Sequence, residues 1–141
     1  MLLRRGAWGG TRARCTTLGV RALVLPDDGE VPAGWTHLLA SEPLHVPALW
    51  HFEVANALAT GRRRGRLTAA EAGLAATLLA SLGVTTHPPA PLTRLLEVAA
   101  LYELTAYGAA YLVLAIDTGD TLLTRDAQLA HAAASAGVSR G

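Results

Sequence analysis

The chain is poor in cysteine and has no excess of either charge, and both shortages exclude classes of protein. Among 141 residues there is one cysteine, Cys15, which excludes an internal disulfide framework and any zinc site with two or more thiolates. Twelve basic residues, all of them arginine, balance eleven acidic ones for a net charge of +1. This balance provides no strong electrostatic attraction to nucleic acids or membranes.

Long apolar runs and phosphate-binding loops are also missing. The longest uncharged stretch, residues 72–93, is interrupted by glycine, proline and threonine and does not have the composition of a membrane-spanning helix. The first fifteen residues are charged but lack the apolar segment of a secretory signal. No glycine-rich phosphate loop of the Walker or dinucleotide type is present. We therefore expect a cytoplasmic protein that makes no membrane contact.

Hydrophobic residues make up 51% of the chain, enough to bury the core of one domain. Apolar runs that end at turn residues alternate with segments of helical periodicity. The predicted order is strand, helix, strand, two helices, strand, two helices, strand, helix. Such alternation predicts an α/β fold, in which helices cover both faces of a central parallel sheet.

Boundaries of the elements follow from turn and capping residues. The run Ala22–Leu25 stops at a turn, and further strands are predicted over 44–47, 84–87 and 121–124, with a last one at 137–138. Thr68 and Glu71 form a capping-box pattern, while Thr105 and Asp126 each suit the N-cap of a later helix. The helix that begins at Leu92 is predicted to reach Glu103.

The direction of the strands assigns each carboxylate to one of two opposite edges of the sheet. Functional sites in parallel α/β sheets lie at the carboxyl ends of the strands. Glu53 follows one strand and Asp126 follows another, so both belong to that edge. Asp117 and Asp120 precede a strand and belong to the opposite edge. Paired carboxylates suit Mg²⁺ or Mn²⁺, yet a plain N-cap accounts for Asp126 and a first-turn acid favoured by the helix dipole accounts for Glu53.

Two other patterns also have alternative interpretations. An arginine run follows the Glu53 helix and either contacts RNA phosphates or is a solvated helix C-terminus; it consists of Arg62, Arg63, Arg64 and Arg66. Tyr107 and Tyr111 lie at helical spacing, which is more typical of a core or an interface than of a base-stacking platform.

Three segments resemble the motifs of PIN-domain proteins of the VapC toxin type. Val46–Leu58 resembles their second acidic motif, Leu104–Ala115 the third, and Leu122–Leu129 the fourth. The resemblance covers residues 18–138. It implies a PIN-like three-layer α/β/α fold, Mg²⁺- or Mn²⁺-dependent cleavage of RNA, a small cognate antitoxin and a homodimer.

The resemblance also assigns site residues. Glu53 and Asp126 match two of the four acidic positions and would be catalytic and bind the metal, supported by Thr17, Asn56 and Thr124. At the other two positions the acid is lost. Gly108 stands where the third motif has aspartate, and Cys15 falls where the first motif has aspartate at the end of a strand over 11–14. Thiols are poor Mg²⁺ ligands, so a weakened metal site is expected.

These departures leave the role of the N-terminal segment and the activity open. Residues 1–17 are interpreted as an atypical Gly/Arg-rich segment that is either disordered or a degraded first strand, and residues 18–141 as the PIN-like domain. The favoured function is an impaired VapC-like endoribonuclease. The alternative is an inactive PIN-like protein that binds an antitoxin or RNA without cleavage. A third hypothesis is that the start of the chain derives from a shifted reading frame.

Overall fold

The computed structural model describes residues 16–18 and 32–140. Along these residues, short strands and helices alternate in the predicted order. The elements are β1 (Thr16–Leu18), α1 (Ala33–Ser41), β2 (Leu44–Pro47), α2 (Trp50–Arg63), α3 (Ala69–Ala80), β3 (Thr85–His87), α4 (Leu92–Leu101), α5 (Ala106–Thr118), β4 (Thr121–Leu123) and α6 (Ala127–Ser135).

The strands form one sheet in the order β3-β2-β1-β4, and every pairing in it is parallel. On β4, Leu122 and Leu123 are 1% and 0% exposed. Successive strand residues point to opposite faces, so burial of both side chains means that both faces of the sheet are covered. The α/β fold with a central parallel sheet, expected from the sequence, is confirmed.

Helix α5 is the central helix of the core. Its middle turns are buried, from Tyr111 to Ala115, and it contacts β1, β2 and β4. Leu112 at 0% exposure packs in one apolar cluster with Trp50, Val54 and Leu122. This cluster fixes α5 relative to α2 and the sheet, and these are the elements that position the candidate site.

Polar caps start the helices where the sequence predicts. The amide of Glu71 donates to Thr68 Oγ1 (3.2 Å) and the amide of Thr68 donates to Glu71 Oε2 (2.7 Å), which confirms the capping box. Thr105 Oγ1 accepts from the amide of Gly108 at the start of α5 (3.1 Å). Gly119 ends that helix with φ of +72°, a left-handed conformation that glycine adopts without steric cost.

Two sequence predictions are wrong, one for the end of a helix and one for a last strand. Helix α4 ends at Leu101 rather than Glu103, because Glu103 takes a φ of +53° and the amide of Leu104 bonds back to Ala99 (2.9 Å), a pattern that ends helices. In place of a strand at 137–138, the described residues show an isolated parallel bridge between Leu122 and Arg140. The amide of Leu122 donates there to Ser139 O (2.9 Å).

The first strand that the structure describes lies at residues for which the sequence predicts no strand. In the structure β1 spans Thr16–Leu18 and lies between β2 and β4, so it crosses the boundary predicted between residues 17 and 18. The predicted strand over 11–14 and the run Ala22–Leu25 lie outside the described residues. Pairing with both neighbours, from Thr16 opposite Leu44 and Thr121, fixes the register of β1.

Among the described residues, no single helix is long and apolar enough to cross a membrane. Helices α4 and α5 pass that test of length and composition only when taken together, and they are bent by 100° to each other.

Candidate active site

Glu53 lies in the first turn of α2, which begins three residues after β2 ends. Its carboxylate is half-buried, and the hydroxyl of Tyr111 on α5 donates a hydrogen bond to Oε2 (2.5 Å). Burial raises the pKa of Glu53 above its ordinary value, and the hydrogen bond from Tyr111 offsets part of that rise. The helix dipole alone would account for an acid in the first turn, but it does not account for the hydrogen bond from a tyrosine on another helix.

Tyr111 is itself 4% exposed and belongs to the apolar core. Burial raises the pKa of its hydroxyl well beyond the usual range, and the hydrogen bond and negative charge of Glu53 raise it further. The hydroxyl therefore remains protonated at any physiological pH. It acts as a permanent donor to Glu53.

Asp126 follows β4 and caps α6. The amide of Leu129 donates to Asp126 Oδ1 (3.0 Å), while the amide of Asp126 donates to Thr124 Oγ1 (3.1 Å). The N-cap predicted from the sequence is thus present. Asp126 is exposed, and the cap engages Oδ1, so Asp126 Oδ2 can accept a ligand without loss of the cap.

The strand order places Glu53 and Asp126 at the same edge of the sheet. Both follow the carboxyl ends of parallel strands, and β1 separates their strands. With adjacent strands about 4.8 Å apart, β2 and β4 are roughly 10 Å from one another. Across residues 16–18 and 32–140, no group of three or more His, Cys, Asp or Glu side chains is arranged to hold a metal. The two acids fit Mg²⁺ by donor type, as hard oxygen ligands.

Gly108 lies in the first turn of α5, one turn before Tyr111. Residues three apart share a helix face, so Gly108 is on the side of α5 from which Tyr111 reaches Glu53. A Cβ atom built on Gly108 would meet Leu104 and Thr105 at 3.6 Å, an ordinary van der Waals distance. The helix therefore has room for a side chain at the position where the family motif has aspartate.

The remaining predicted site residues lie in different places. Cys15 is outside the described residues, and Thr17 is the middle residue of β1. Asn56 is exposed, one turn beyond Glu53 on α2. The arginine run is exposed at the far end of α2. Arg63 is ten residues from Glu53, about 15 Å along the helix axis, and donates to Thr60 Oγ1 (3.1 Å).

Asp117 and Asp120 lie at the opposite edge of the sheet, as expected from their positions before β4. Asp117 contacts Arg94, with 2.5 Å between Oδ1 and Nη2. Asp120 is 4% exposed, and its Oδ2 lies 3.0 Å from His45 Nδ1. Neither acid contributes to the edge that carries Glu53 and Asp126.

Sequence reasoning missed the contact between Tyr111 and Glu53. It grouped Tyr111 with Tyr107, but Tyr107 is 65% exposed while Tyr111 is buried, so the two do not form one surface. The available signal was the position of Tyr111 inside the third motif, on a helix that packs against the sheet. Helical spacing alone does not reveal that a core tyrosine reaches a carboxylate 58 residues earlier in the chain.

Comparisons with known proteins agree with this architecture. The model of the PIN domain family matches residues 23–135. The VapC ribonuclease Mb0985 of Mycobacterium bovis and the ribonuclease VapC9 of Mycobacterium tuberculosis are each 39% identical over 93 residues, which cover 65% of this chain and 72% of theirs. The crystal structure of PAE2754 from Pyrobaculum aerophilum matches with a TM-score of 0.67 at 27% identity, and covers 84% of this chain and 79% of that one.

Proposed function

Since the chain belongs to the PIN-domain family and is of the VapC toxin type, we propose that it is a divalent-metal-dependent endoribonuclease. The placement of Glu53 and Asp126 at one edge of the parallel sheet carries this proposal. The similar mycobacterial proteins are named ribonucleases, which supports the proposal.

Glu53 and Asp126 would hold the ion, which we propose to be Mg²⁺ or Mn²⁺. When bound, such an ion supplies a Lewis acid and lowers the pKa of bound water near a phosphodiester. The chain's own groups have distinct tasks. Tyr111 holds one oxygen of Glu53, and Thr124 holds the backbone amide of Asp126. Asn56 and Thr17 are proposed as further supporting residues, the first because it follows Glu53 by one turn on α2.

Activity is proposed to be impaired. Gly108 brings no carboxylate to the face of α5 that looks toward Glu53, and the match of Cys15 to the first acidic position would replace a hard oxygen donor with a thiol. Two carboxylates hold a hard cation less tightly than four. The main cost falls on metal affinity, and the low helix propensity of glycine adds a cost of up to about 1 kcal/mol in stability.

The proposed partners are an RNA substrate, a small cognate antitoxin and a second copy of the chain, all in the cytoplasm. Helix α4 supports the homodimer. It exposes Leu92, Leu96 and Leu101, each at least 68% accessible, and such an apolar surface favours association. The exposed arginines at the end of α2 are proposed to contact RNA phosphates away from the cleavage site, which suits a strand that extends along α2.

An RNA-cleavage assay with titrated Mg²⁺ or Mn²⁺ tests the function. We expect slow cleavage that EDTA removes, loss of cleavage in Glu53→Gln, and faster cleavage when aspartate is restored at positions 15 and 108 together. Cleavage that is unchanged in Glu53→Gln would contradict the assigned site. If the unmodified chain and the doubly restored variant both bind RNA without cutting it, the chain is a non-catalytic PIN protein instead.

A further inference from the structure

We propose that Tyr111 is the positioning residue of the candidate site: its hydrogen bond to Oε2 holds the Glu53 carboxylate in place and leaves Oε1 for a cation. This inference deepens the proposed function and rests on its assignment of Glu53 as a metal ligand. It concerns the geometry of Glu53, so it can be tested apart from RNA cleavage.

The first argument is the difference in freedom between the two side chains. Glu53 has three rotatable side-chain bonds and is only half-buried, and freezing such a side chain costs conformational entropy. Tyr111 has two, and its ring is fixed in the same apolar cluster as Trp50 and Val54. A hydroxyl at the end of a fixed ring is therefore a rigid point to which the mobile carboxylate is tied.

The second argument is the division of the carboxylate between two tasks. The Tyr111 hydroxyl donates to Oε2 at 2.5 Å, so this oxygen is already engaged by the protein. The hydrogen bond leaves Oε1 as the oxygen for a cation. This arrangement matches the usual design of metal sites, in which a ligating carboxylate receives a hydrogen bond from a neighbouring group that orients it.

The third argument is that position 108, on the same side of α5 as Tyr111, carries no acidic ligand. With glycine at position 108, the described part of α5 brings only the Tyr111 hydroxyl to Glu53 from that side. A site with few acidic ligands depends more on the orientation of each one, since no other ligand corrects a misplaced carboxylate. We therefore expect the Tyr111 hydroxyl, although neutral, to have a large effect on the affinity of the site for a cation.

Tyr111→Phe tests the proposal because it keeps the ring and removes only the hydroxyl. Tyr107→Phe is the matched control, as it makes the same change one turn earlier on the same helix, at an exposed position. In metal-free protein, NMR relaxation of the Glu53 side-chain methylene groups should report greater mobility in Tyr111→Phe and no change in Tyr107→Phe. Titration with Mn²⁺ alone should show affinity about tenfold lower in Tyr111→Phe, the usual loss for an orienting partner.

Unchanged methylene mobility or unchanged Mn²⁺ affinity in Tyr111→Phe would overturn the positioning role. If that variant does not fold, the unmodified protein provides the test. There the Tyr111 hydroxyl proton should appear as a slowly exchanging downfield resonance that disappears in Glu53→Ala, and absence of that resonance overturns the proposal. Mobility and affinity changes without any RNA cleavage would contradict the nuclease function but support the role of Tyr111.

Discussion

Acidic side chains at the two edges of the sheet have different kinds of partner. At the edge where the strands begin, here called the amino edge, Asp117 contacts Arg94 and the buried Asp120 contacts His45. Each of these acids therefore has a cationic or ionisable partner from the protein. At the carboxyl edge, within the described residues, the partners of Glu53 and Asp126 are a tyrosine hydroxyl and a backbone amide. Neutral donors hold these two carboxylates but do not neutralise them, and this is the contrast on which the proposed metal site depends.

The largest expected effect tests this contrast through activity. Glu53→Gln keeps the shape of the side chain and removes its charge, and we expect metal-dependent RNA cleavage to fall about a hundredfold or more. Asp117→Asn, the same change of charge at the amino edge, should leave the cleavage rate unchanged. Equal losses in the two variants, measured at saturating Mn²⁺, would show that the edges do not differ in function.

Loss of the buried acid should have the largest effect on stability. Asp120→Ala removes the carboxylate that lies 3.0 Å from His45 Nδ1 at a buried position, and a buried polar group left without its partner costs about 1–3 kcal/mol. We expect urea denaturation to report a loss of about 2 kcal/mol in the free energy of unfolding. A loss below that found for Asp126→Ala would contradict the assignment of Asp120 to a structural role.

Asp126 is expected to combine both roles, and two substitutions separate them. Asp126→Ala removes the cap of α6 and should cost about 1 kcal/mol of stability together with metal affinity. Asn caps helices as well as Asp does, so Asp126→Asn should retain stability and still lose Mn²⁺ binding. If Asp126→Asn binds Mn²⁺ as tightly as the unmodified protein, Asp126 is only a cap.

Gly108 allows the carboxyl edge to be strengthened. Because a Cβ atom fits there, Gly108→Ala should raise the free energy of unfolding by up to about 1 kcal/mol through helix propensity. Gly108→Asp should in addition bind Mn²⁺ more tightly, while the uncharged control Gly108→Asn should not. Destabilisation by all three substitutions, seen in thermal melts, would mean that the position has no room for a side chain.

The smallest effect is a difference in pH dependence between two acids in metal-free protein. The pKa of Glu71 is lowered by its hydrogen bonds with Thr68, so its contribution to stability is lost as pH falls from 4.5 through the folded-state pKa. The pKa of Glu53 is raised by burial, so stability falls as pH rises from 4.5 to that raised value. In melting curves recorded over a pH series, Glu71→Gln should remove the fall in stability toward low pH, and Glu53→Gln should remove the fall in stability toward higher pH. If both substitutions changed the dependence of stability on pH in the same direction, the environments described for the two acids would be wrong.

Much of the fold could be predicted because its signals are local. The Thr68 capping box and the caps at Thr105 and Asp126 act through their immediate neighbours in sequence, and each is present as expected. Two features that were not predicted depend on partners distant in sequence. Strand β1 is defined by pairing with β2 and β4, not by its own composition, and its three residues carry little apolar signal. The contact from Tyr111 to Glu53 likewise depends on how two helices pack.

The central position of β1 bears on how the molecule is assembled. This strand is the first one in the described residues, yet one of its two neighbours, β4, begins about 100 residues later. Contacts so distant in sequence form slowly, because a long loop must close before they contribute. During synthesis the sheet remains incomplete until β4 has left the ribosome. The edge at which Glu53 and Asp126 lie is therefore complete only after β4 has been made.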